Sequence, residues 1–233
     1  TPVTGVSLVA GGKDESWLDH SELSATLFTP FWSELLLTKV QNQFDLVIFD
    51  LGAGTNKFSL DFFTCAHLGI MTVLPEPTSI ENAYSFLKAT MGRLIDNVAL
   101  NTGELSVAEK VKDLLFSYNQ NEARQSYRDK LNQLYEEYPS FIEVFHSTLM
   151  ARKIGFIVNQ TRSQRDIEVG QSMKVICQNY FGFATCYLGH LNYDDSAWKA
   201  LRNRKLLLSD FPHSVIVRKI AEVSHNIIHS LGY

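Results

Sequence analysis

The chain has 233 residues, of which 45% are hydrophobic and 20% are charged, and its formal net charge is −4. This composition is typical of a globular protein and excludes the intrinsically disordered class. The length suffices to bury the core of one domain, with or without an insertion. The small negative charge gives the chain as a whole no bias towards polyanions, and no apolar run reaches the roughly 18 residues of a membrane span.

Three cysteines bear on the cellular compartment. Cys65, Cys177 and Cys186 are odd in number, widely spaced and form no C-x-x-C pair. This usage favours reduced thiols over a disulfide framework or a metal site. The first residues also lack the basic segment and long apolar stretch of a secretory signal. The sequence therefore predicts a reduced, cytoplasmic protein.

The first part of the chain predicts alternating strands and helices. "VSLVA", residues 6–10, predicts a short strand, and residues 17–42 have a largely helical pattern. "DLVIFD", residues 45–50, is a continuous apolar run, which is typical of a strand covered on both faces in a parallel sheet. A glycine-containing loop and a helix-like segment follow, and "GIMTVLP", residues 69–75, predicts the next strand.

The next predicted helix begins near Thr78. Thr78 and Glu81 have the spacing of a capping box. Residues 96–150 are more polar but keep a mostly helical pattern, interrupted at Pro139, and they predict a helical insertion between two strands of the sheet. The apolar residues that define one face of the helix before this insertion are Ile80, Ala83, Tyr84, Leu87, Met91, Leu94 and Ile95.

The alternation resumes after the insertion. "KIGFIVNQ", residues 153–160, and "ATCYLGHL", residues 184–191, predict strands with a helix between them. "DSAWKALRN", residues 195–203, and the segment from Ile216 to Ile227 predict the last two helices. Such alternation indicates the α/β class, with a doubly wound, mostly parallel sheet. We interpret residues 1–233 as a single domain of this class, with the helical insertion at about residues 96–150.

Ligands of such sheets bind at the carboxyl ends of the strands, where the first candidate is Asp50 with Gly52, Ala53 and Gly54. A carboxylate at a strand tip can hold Mg²⁺, usually through bound water. The glycines that follow allow backbone N–H groups to approach a phosphate closely. A tight turn with a solvated aspartate accounts for the same residues equally well.

Two further strand ends carry polar chemistry. In "LPEPTSIENAY", residues 74–84, prolines stiffen the exit from the strand, and the helix N-terminus that follows suits either an anion or simply a rigid, capped turn. In "FIVNQTRSQRD", residues 156–166, the Asn159 amide both donates and accepts, as pairing with a nucleobase requires. Arg162 has the planar cation that stacks on a base or pairs with a phosphate, although an ordinary polar loop has the same composition.

Four segments in this order resemble the MinD/ParA group of P-loop ATPases, and most of all its MinD-like and FlhG-like, flagellum-placing branch. They are "FDLVIFDLGAGT", "VLPEPTSIENAYSFLKA", "IGFIVNQTRSQRDIEVG" and "YLGHLNYDDSAWKALRNRKLLLSDFPHS". The resemblance extends from about Val6 to the C-terminus and leaves out the insertion. It implies a sheet of the P-loop NTPase type.

The resemblance also implies roles for individual residues. Asp50 matches the Walker B and switch II aspartate near Mg²⁺ and is the implied catalytic residue. The Gly52–Gly54 loop matches the switch II loop that senses the γ-phosphate. Asn159 matches the position that contacts adenine, and the loop from Asn192 to Asp194 lies where the family closes over the base. The remaining predicted nucleotide-binding residues are Glu76, Pro77 and Arg162.

One part of the family's pattern is absent from the sequence. Members open with a phosphate loop, K-G-G-x-G-K-[ST], on their first strand, and "AGGKDES", residues 10–16, lacks the G-K-[ST] ending. We therefore expect the natural protein to be longer, with its first strand and phosphate loop upstream of Thr1. The chain as given is expected to lack ATPase activity.

The resemblance implies a switch that uses ATP and Mg²⁺ as cofactors. ATP drives homodimer formation, a protein partner stimulates hydrolysis, and the switch positions a flagellum, a division site or a replicon. The alternative belongs to a different class: a non-catalytic scaffold with a degenerate nucleotide site. Its partner surface would be the helical insertion, which could then be removed without unfolding the α/β part.

Two features near the C-terminus bear on other partners. Arg202, Arg204 and Lys205 form a basic cluster after a helix, which suits DNA or a protein partner, or simply complements the negative end of that helix. The last helix, which ends "HNIIHSLGY", lacks the lysine-rich amphipathic pattern of a membrane-surface helix. Neither feature is a clear signal for nucleic acid or for a membrane.

Overall fold

A computed structural model of the chain describes residues 4–8, 43–116 and 127–232. The chain divides into two compact units, with the boundary between Asp50 and Leu51. The helical pattern predicted for residues 17–42 lies outside the described residues, as do Val9 and Ala10 of the first predicted strand.

The described part of the first unit contains neither helix nor strand. Residues 6–8 and 46–50 lack regular secondary structure, so the strands predicted at "VSLVA" and "DLVIFD" are wrong for these residues. Leu46 is 44% exposed and Ile48 is 80% exposed, whereas an inner strand of a parallel sheet is covered on both faces. An apolar run indicates a preference for burial, but the formation of a strand also depends on hydrogen bonding to a neighbouring strand.

Within the described residues, the second unit alternates strands with helices, as the sequence pattern predicts. In chain order the elements are α1 (Lys57–Cys65), β1 (Leu68–Val73), α2 (Pro77–Thr102), α3 (Leu105–Phe116), α4 (Tyr127–Glu137), α5 (Pro139–Met150), β2 (Lys153–Thr161), α6 (Gln164–Phe181), β3 (Ala184–Asn192), α7 (Asp195–Arg202), α8 (Leu207–Asp210) and α9 (Val215–Leu231).

The sheet is small, open and parallel. Strand β2 lies in the middle, and β1 and β3 pair with it on either side. The β1–β2 register runs without interruption. The β2–β3 register shifts after Phe156, which lies opposite Tyr187, and again before Thr161, which lies opposite Asn192. The α/β class with a parallel sheet is thus confirmed.

Helices cover both faces of the central strand. Phe156 and Val158 of β2 belong to a large core cluster that also contains Leu87 of α2. Ile157, between them, belongs to a second cluster with Val223 of α9. Because successive strand residues point to opposite faces, the two clusters lie on opposite sides of the sheet. This arrangement explains why β2 reads as a continuous apolar run.

Strand β1 lies at the edge of the sheet, and one of its faces is only partly covered. Gly69, Met71 and Val73 are buried, whereas Ile70 is 38% exposed and Thr72 is also exposed. No strand in the described part of the chain pairs with the outer edge of β1. Because parallel sheets are normally covered on both faces, the sheet is open on this side.

The helical segment between β1 and β2 shares the main core with the sheet. Its described residues form helices, as predicted. Phe141, Ile142, Phe145 and Leu149 of α5 are at most 1% exposed, and they belong to the same cluster as Phe156 of β2. We therefore expect removal of this segment to expose the packed face of the sheet rather than to leave the α/β part intact.

Helix α2 begins differently from the prediction. Glu76 is the N-cap and makes no side-chain capping bond, and Pro77 occupies the first turn. The predicted Thr78–Glu81 capping box is therefore wrong. Proline suits this position because the first turn of a helix needs no N–H donor. Ser79 accepts a 2.9 Å hydrogen bond from the Leu74 N–H, which ties the start of α2 to the end of β1.

None of the helices in the described ranges is both long enough and apolar enough to cross a membrane.

Candidate functional site

The carboxyl ends of β2 and β3 hold a compact group of predicted site residues. Thr161 at the end of β2 lies opposite Asn192 at the end of β3. The Thr161 carbonyl accepts a 3.0 Å hydrogen bond from the Tyr193 N–H, and Thr161 Oγ1 donates to the Leu191 carbonyl at 3.3 Å. These bonds hold the two strand exits side by side. The predicted residues that follow or end these strands are Asn159, Arg162, Asn192 and Asp194.

A cation–aromatic contact lies at this edge of the sheet. The guanidinium carbon of Arg162 is 4.0 Å from the centroid of the Tyr193 ring, which is within cation–π range. Arg162 is exposed and Tyr193 is 47% exposed, so the pair offers a flat and partly open surface. Planar surfaces of this kind suit the stacking of a nucleobase.

The backbone between Asn159 and Arg162 is in an unusual conformation. Gln160 has a φ of 58°, in the left-handed region that residues other than glycine seldom adopt. Asn159 Oδ1 accepts a 2.9 Å hydrogen bond from the Gln160 N–H, which supports this turn. Strain of this type costs about 1–3 kcal/mol and tends to occur at functional sites. In the described residues the Asn159 amide nitrogen makes no protein hydrogen bond, so it is available to a ligand acceptor.

The backbone of Arg162 is fixed by the start of α6. Asp166 Oδ2 accepts hydrogen bonds from the N–H groups of Arg162, at 2.7 Å, and Ser163, at 2.9 Å. Ser163 Oγ accepts from the Asp166 N–H at 3.3 Å, which completes a capping box. The Arg162 N–H, followed by the contact with Ser163, lowers the pKa of the Asp166 carboxyl. We predicted no cap here, although the S-x-x-D spacing in the sequence encodes it.

Asp194 has a structural role that the sequence prediction did not include. Its Oδ1 accepts a 2.8 Å hydrogen bond from the Ser196 N–H, and its Oδ2 accepts from the Ile216 N–H at 3.3 Å. Asp194 therefore caps α7 and joins it to the start of α9. These bonds, that from Ser196 above all, lower the pKa of the Asp194 carboxyl. Helix capping explains this aspartate without a nucleotide.

Glu76 and Pro77 lie beyond the carboxyl end of β1. Because β1 and β2 are parallel neighbours, these two residues occur at the same edge of the sheet as Asn159. Both side chains are exposed, and the turn that contains them leads directly into α2. The structure thus brings them to the predicted edge, one strand away from the β2–β3 group.

Asp50 and the Gly52–Gly54 loop belong to different compact units. Asp50 is exposed and does not follow a strand, so its predicted position at a strand tip is wrong. The Gly52–Gly54 loop is also exposed, and Gly54 has a φ of 116°, which favours glycine. The loop precedes α1, whose N-cap Asn56 accepts a 2.9 Å hydrogen bond from the Ser59 N–H.

A protein-only metal cluster does not occur in the described ranges, where no group of three or more His, Cys, Asp or Glu residues could hold an ion. The predicted magnesium ligand is a different kind of site, because Asp50 alone would act through bound water. That assignment stays a prediction.

Tyr193 is the residue of this site that the sequence reasoning missed. The loop from Asn192 to Asp194 was singled out, but its aromatic member was not. The available signal was an aromatic residue directly after one strand and an arginine directly after the other.

Comparison with known proteins adds no further assignment. No protein-family model and no curated protein matches this chain. The likeness to MinD/ParA ATPases therefore depends on the four sequence segments.

Proposed function

We propose that this chain carries the base-binding part of a MinD/ParA-type switch, in which ATP with Mg²⁺ drives homodimer formation. The observation that carries the proposal is the Arg162–Tyr193 pair beside Asn159, at the carboxyl edge of a parallel sheet. Open α/β sheets bind their ligands at this edge. The site is cationic and aromatic where a base would stack, and it has an amide where a base edge would be read.

The residues present fit an adenine base. Tyr193 and Arg162 offer a stacking surface, and the free nitrogen of the Asn159 amide can donate to a ring nitrogen of the base. Asn192, half-buried at the end of β3, lies at the same edge of the sheet. By the resemblance, Glu76 and Pro77 would line the nucleotide and Gly52–Gly54 would face the γ-phosphate, and the role of Asp50 near Mg²⁺ stays a prediction. ATP, when bound, would supply the phosphoanhydride whose hydrolysis resets the switch.

The open side of the sheet supports a larger sheet of the P-loop NTPase type. The outer edge of β1 is unpaired in the described residues, and Ile70 on one of its faces is 38% exposed. An additional strand beside β1, followed by a phosphate loop, would pair that edge. In the complete switch a protein partner would stimulate hydrolysis, and the dimer would position a flagellum, a division site or a replicon.

A second candidate function is a non-catalytic scaffold with a degenerate nucleotide site. The hydrogen bonding of two aspartates favours the scaffold, because the carboxylates of Asp166 and Asp194 both cap helices. The sequence also contains no phosphate loop. Such a protein would act through its partners and would not respond to nucleotides.

Sedimentation velocity of the full-length protein, with Mg·ATP, with Mg·ADP and without nucleotide, separates the two candidates. At one fixed protein concentration, the switch predicts a shift towards dimers with Mg·ATP that Mg·ADP does not produce, and both Asn159→Ala and Arg162→Ala should raise the ATP concentration that is needed. Arg165→Ala is the matched control, since this arginine is also exposed at the start of α6. A protein that binds no nucleotide and keeps one oligomeric state throughout would refute the switch and leave the scaffold.

A further inference from the structure

Helix α7 and the turn after it expose apolar side chains beside cations. Trp198 is 56% exposed and Leu201 is 80% exposed. Lys199, Arg202 and Arg204, all exposed, alternate with them along the chain. We call these five residues the basic corner. Large apolar side chains that remain uncovered next to charges of one sign are typical of a protein-binding surface.

The basic corner is held in place by the fold. Ala200 is 3% exposed, and its carbonyl accepts a 2.9 Å hydrogen bond from the Lys205 N–H. The Arg202 guanidinium lies 5.0 Å from the Trp198 ring centroid, so the two side chains order each other. Lys205 pairs with Asp210 at 3.0 Å. The three cations of the basic corner, by contrast, have no carboxylate partner within the described ranges.

A surface of the opposite charge lies where α4 meets α5. Tyr135 is 49% exposed and Val144 is 41% exposed, and Glu136, Glu137 and Glu143 are exposed on the same two helices. We call these five residues the acidic corner. The Lys110 ammonium lies 5.5 Å from the Tyr138 ring centroid at this junction. None of its three glutamates forms an ion pair in the part of the chain that the structure describes.

We propose that the basic corner of one copy of this chain binds the acidic corner of a second copy. Each corner combines two exposed apolar side chains with three unpaired charges, and the charges are of opposite sign. The contact joins two different surfaces, so it is heterologous and each copy keeps one free corner. Chains of molecules therefore grow with concentration. The contact needs no nucleotide, and it is independent of the proposed function.

The composition of the basic corner favours a protein partner over a lipid surface or a nucleic acid. A membrane-surface helix has one continuous apolar face, whereas Leu201 and Arg202 are adjacent, and the corner includes a bend after α7. A nucleic acid could contact the cations through phosphates and stack a base on Trp198, but it would leave Leu201, which is 80% exposed, uncovered. The acidic corner offers what the basic corner lacks, namely exposed carboxylates, together with exposed apolar side chains.

Sedimentation velocity without nucleotide, from about 1 μM to about 1 mM protein, tests the contact. Wild-type protein should form larger species as the concentration rises, and about 0.5 M salt should suppress them because exposed charges are screened. Arg202→Glu and Glu137→Lys should each weaken association at least about tenfold. Arg165→Glu, an exposed charge reversal on α6, should leave association unchanged. Leu201→Ser removes an apolar contact without a charge change and should also weaken it.

Mixing the two charge-reversed variants gives the sharpest result. The Arg202→Glu protein keeps an intact acidic corner, and the Glu137→Lys protein keeps an intact basic corner. Their mixture should form 1:1 dimers at concentrations at which each variant alone is monomeric, because only the mixture pairs an intact basic corner with an intact acidic corner. Wild-type protein that is monomeric at every concentration overturns the proposal. So does a mixture that stays monomeric, or a control variant that loses association equally. Monomeric protein that binds phosphatidylglycerol vesicles through Trp198 would assign this surface to a membrane instead.

Discussion

Phe145→Ala tests whether the helical segment between β1 and β2 is part of the sheet's own core. Phe145 is 0% exposed and belongs to the same cluster as Phe156 at the centre of the sheet. Replacing a fully buried phenylalanine by alanine costs about 3–5 kcal/mol, as lost transfer free energy and as a cavity. Because whole domains are stable by only about 5–15 kcal/mol, this change should bring the protein close to unfolding.

Urea denaturation followed by far-UV circular dichroism measures the loss of stability. Hydrogen exchange identifies the backbone amides that lose protection. A shared core predicts one cooperative transition and faster exchange of β2 amides together with those of α5. Val144→Ala is the matched control, because Val144 precedes Phe145 on the same helix but is 41% exposed. Val144→Ala should change the free energy of unfolding by no more than about 0.5 kcal/mol. Unchanged exchange of β2 in the Phe145→Ala variant would refute the reasoning and make the segment separable.

Two further predictions concern packing and pH. Gly170→Ala would place a Cβ in steric conflict with the Tyr187 ring, and such overpacking should lower the free energy of unfolding by about 1–3 kcal/mol. Gly92→Ala, whose Cβ would be 3.7 Å from the nearest atom, should instead stabilise α2 by up to about 1 kcal/mol. Equal urea midpoints for the Gly170→Ala and Gly92→Ala variants would contradict these two predictions. Asp166 and Asp194 have folded-state pKa values below their ordinary 3.8. Their contribution to stability should therefore be complete above about pH 4 and be lost as the pH falls through the lower folded-state values. Asp166→Asn should flatten this acid limb, and an unchanged pH profile would contradict the capping role.

The sequence predicts the fold best where periodicity and tertiary packing agree. The apolar spacing around Leu87 and Met91 gives α2, and the continuous apolar run around Phe156 gives β2, because both elements bury these side chains in one core. The strand predicted at "DLVIFD" is wrong because periodicity and tertiary packing do not agree there. Its composition indicates burial, but hydrogen bonding to a neighbouring strand depends on residues elsewhere in the chain.

The candidate site is predictable in its position and less so in its chemistry. The strand ends at Asn159 and Asn192 follow from the apolar runs, and parallel pairing then brings them to one edge. The stacking of Arg162 on Tyr193 depends on how two strand exits meet, which no local pattern encodes. Asp194 lies at the predicted strand end, but its carboxylate caps α7, which is a role that the sequence prediction did not include.

The most direct test of a nucleotide site at the ends of β2 and β3 is the dissociation constant of Mg·ATP for the full-length protein and its Tyr193→Ala variant, measured by isothermal titration calorimetry. Stacking of a base on an aromatic ring contributes about 1–3 kcal/mol, so the constant should rise about 5- to 150-fold in the variant. Tyr180→Ala, which alters a tyrosine that is 63% exposed on α6, should leave it unchanged. Equal constants for wild type and Tyr193→Ala, or no binding by either, would contradict the site.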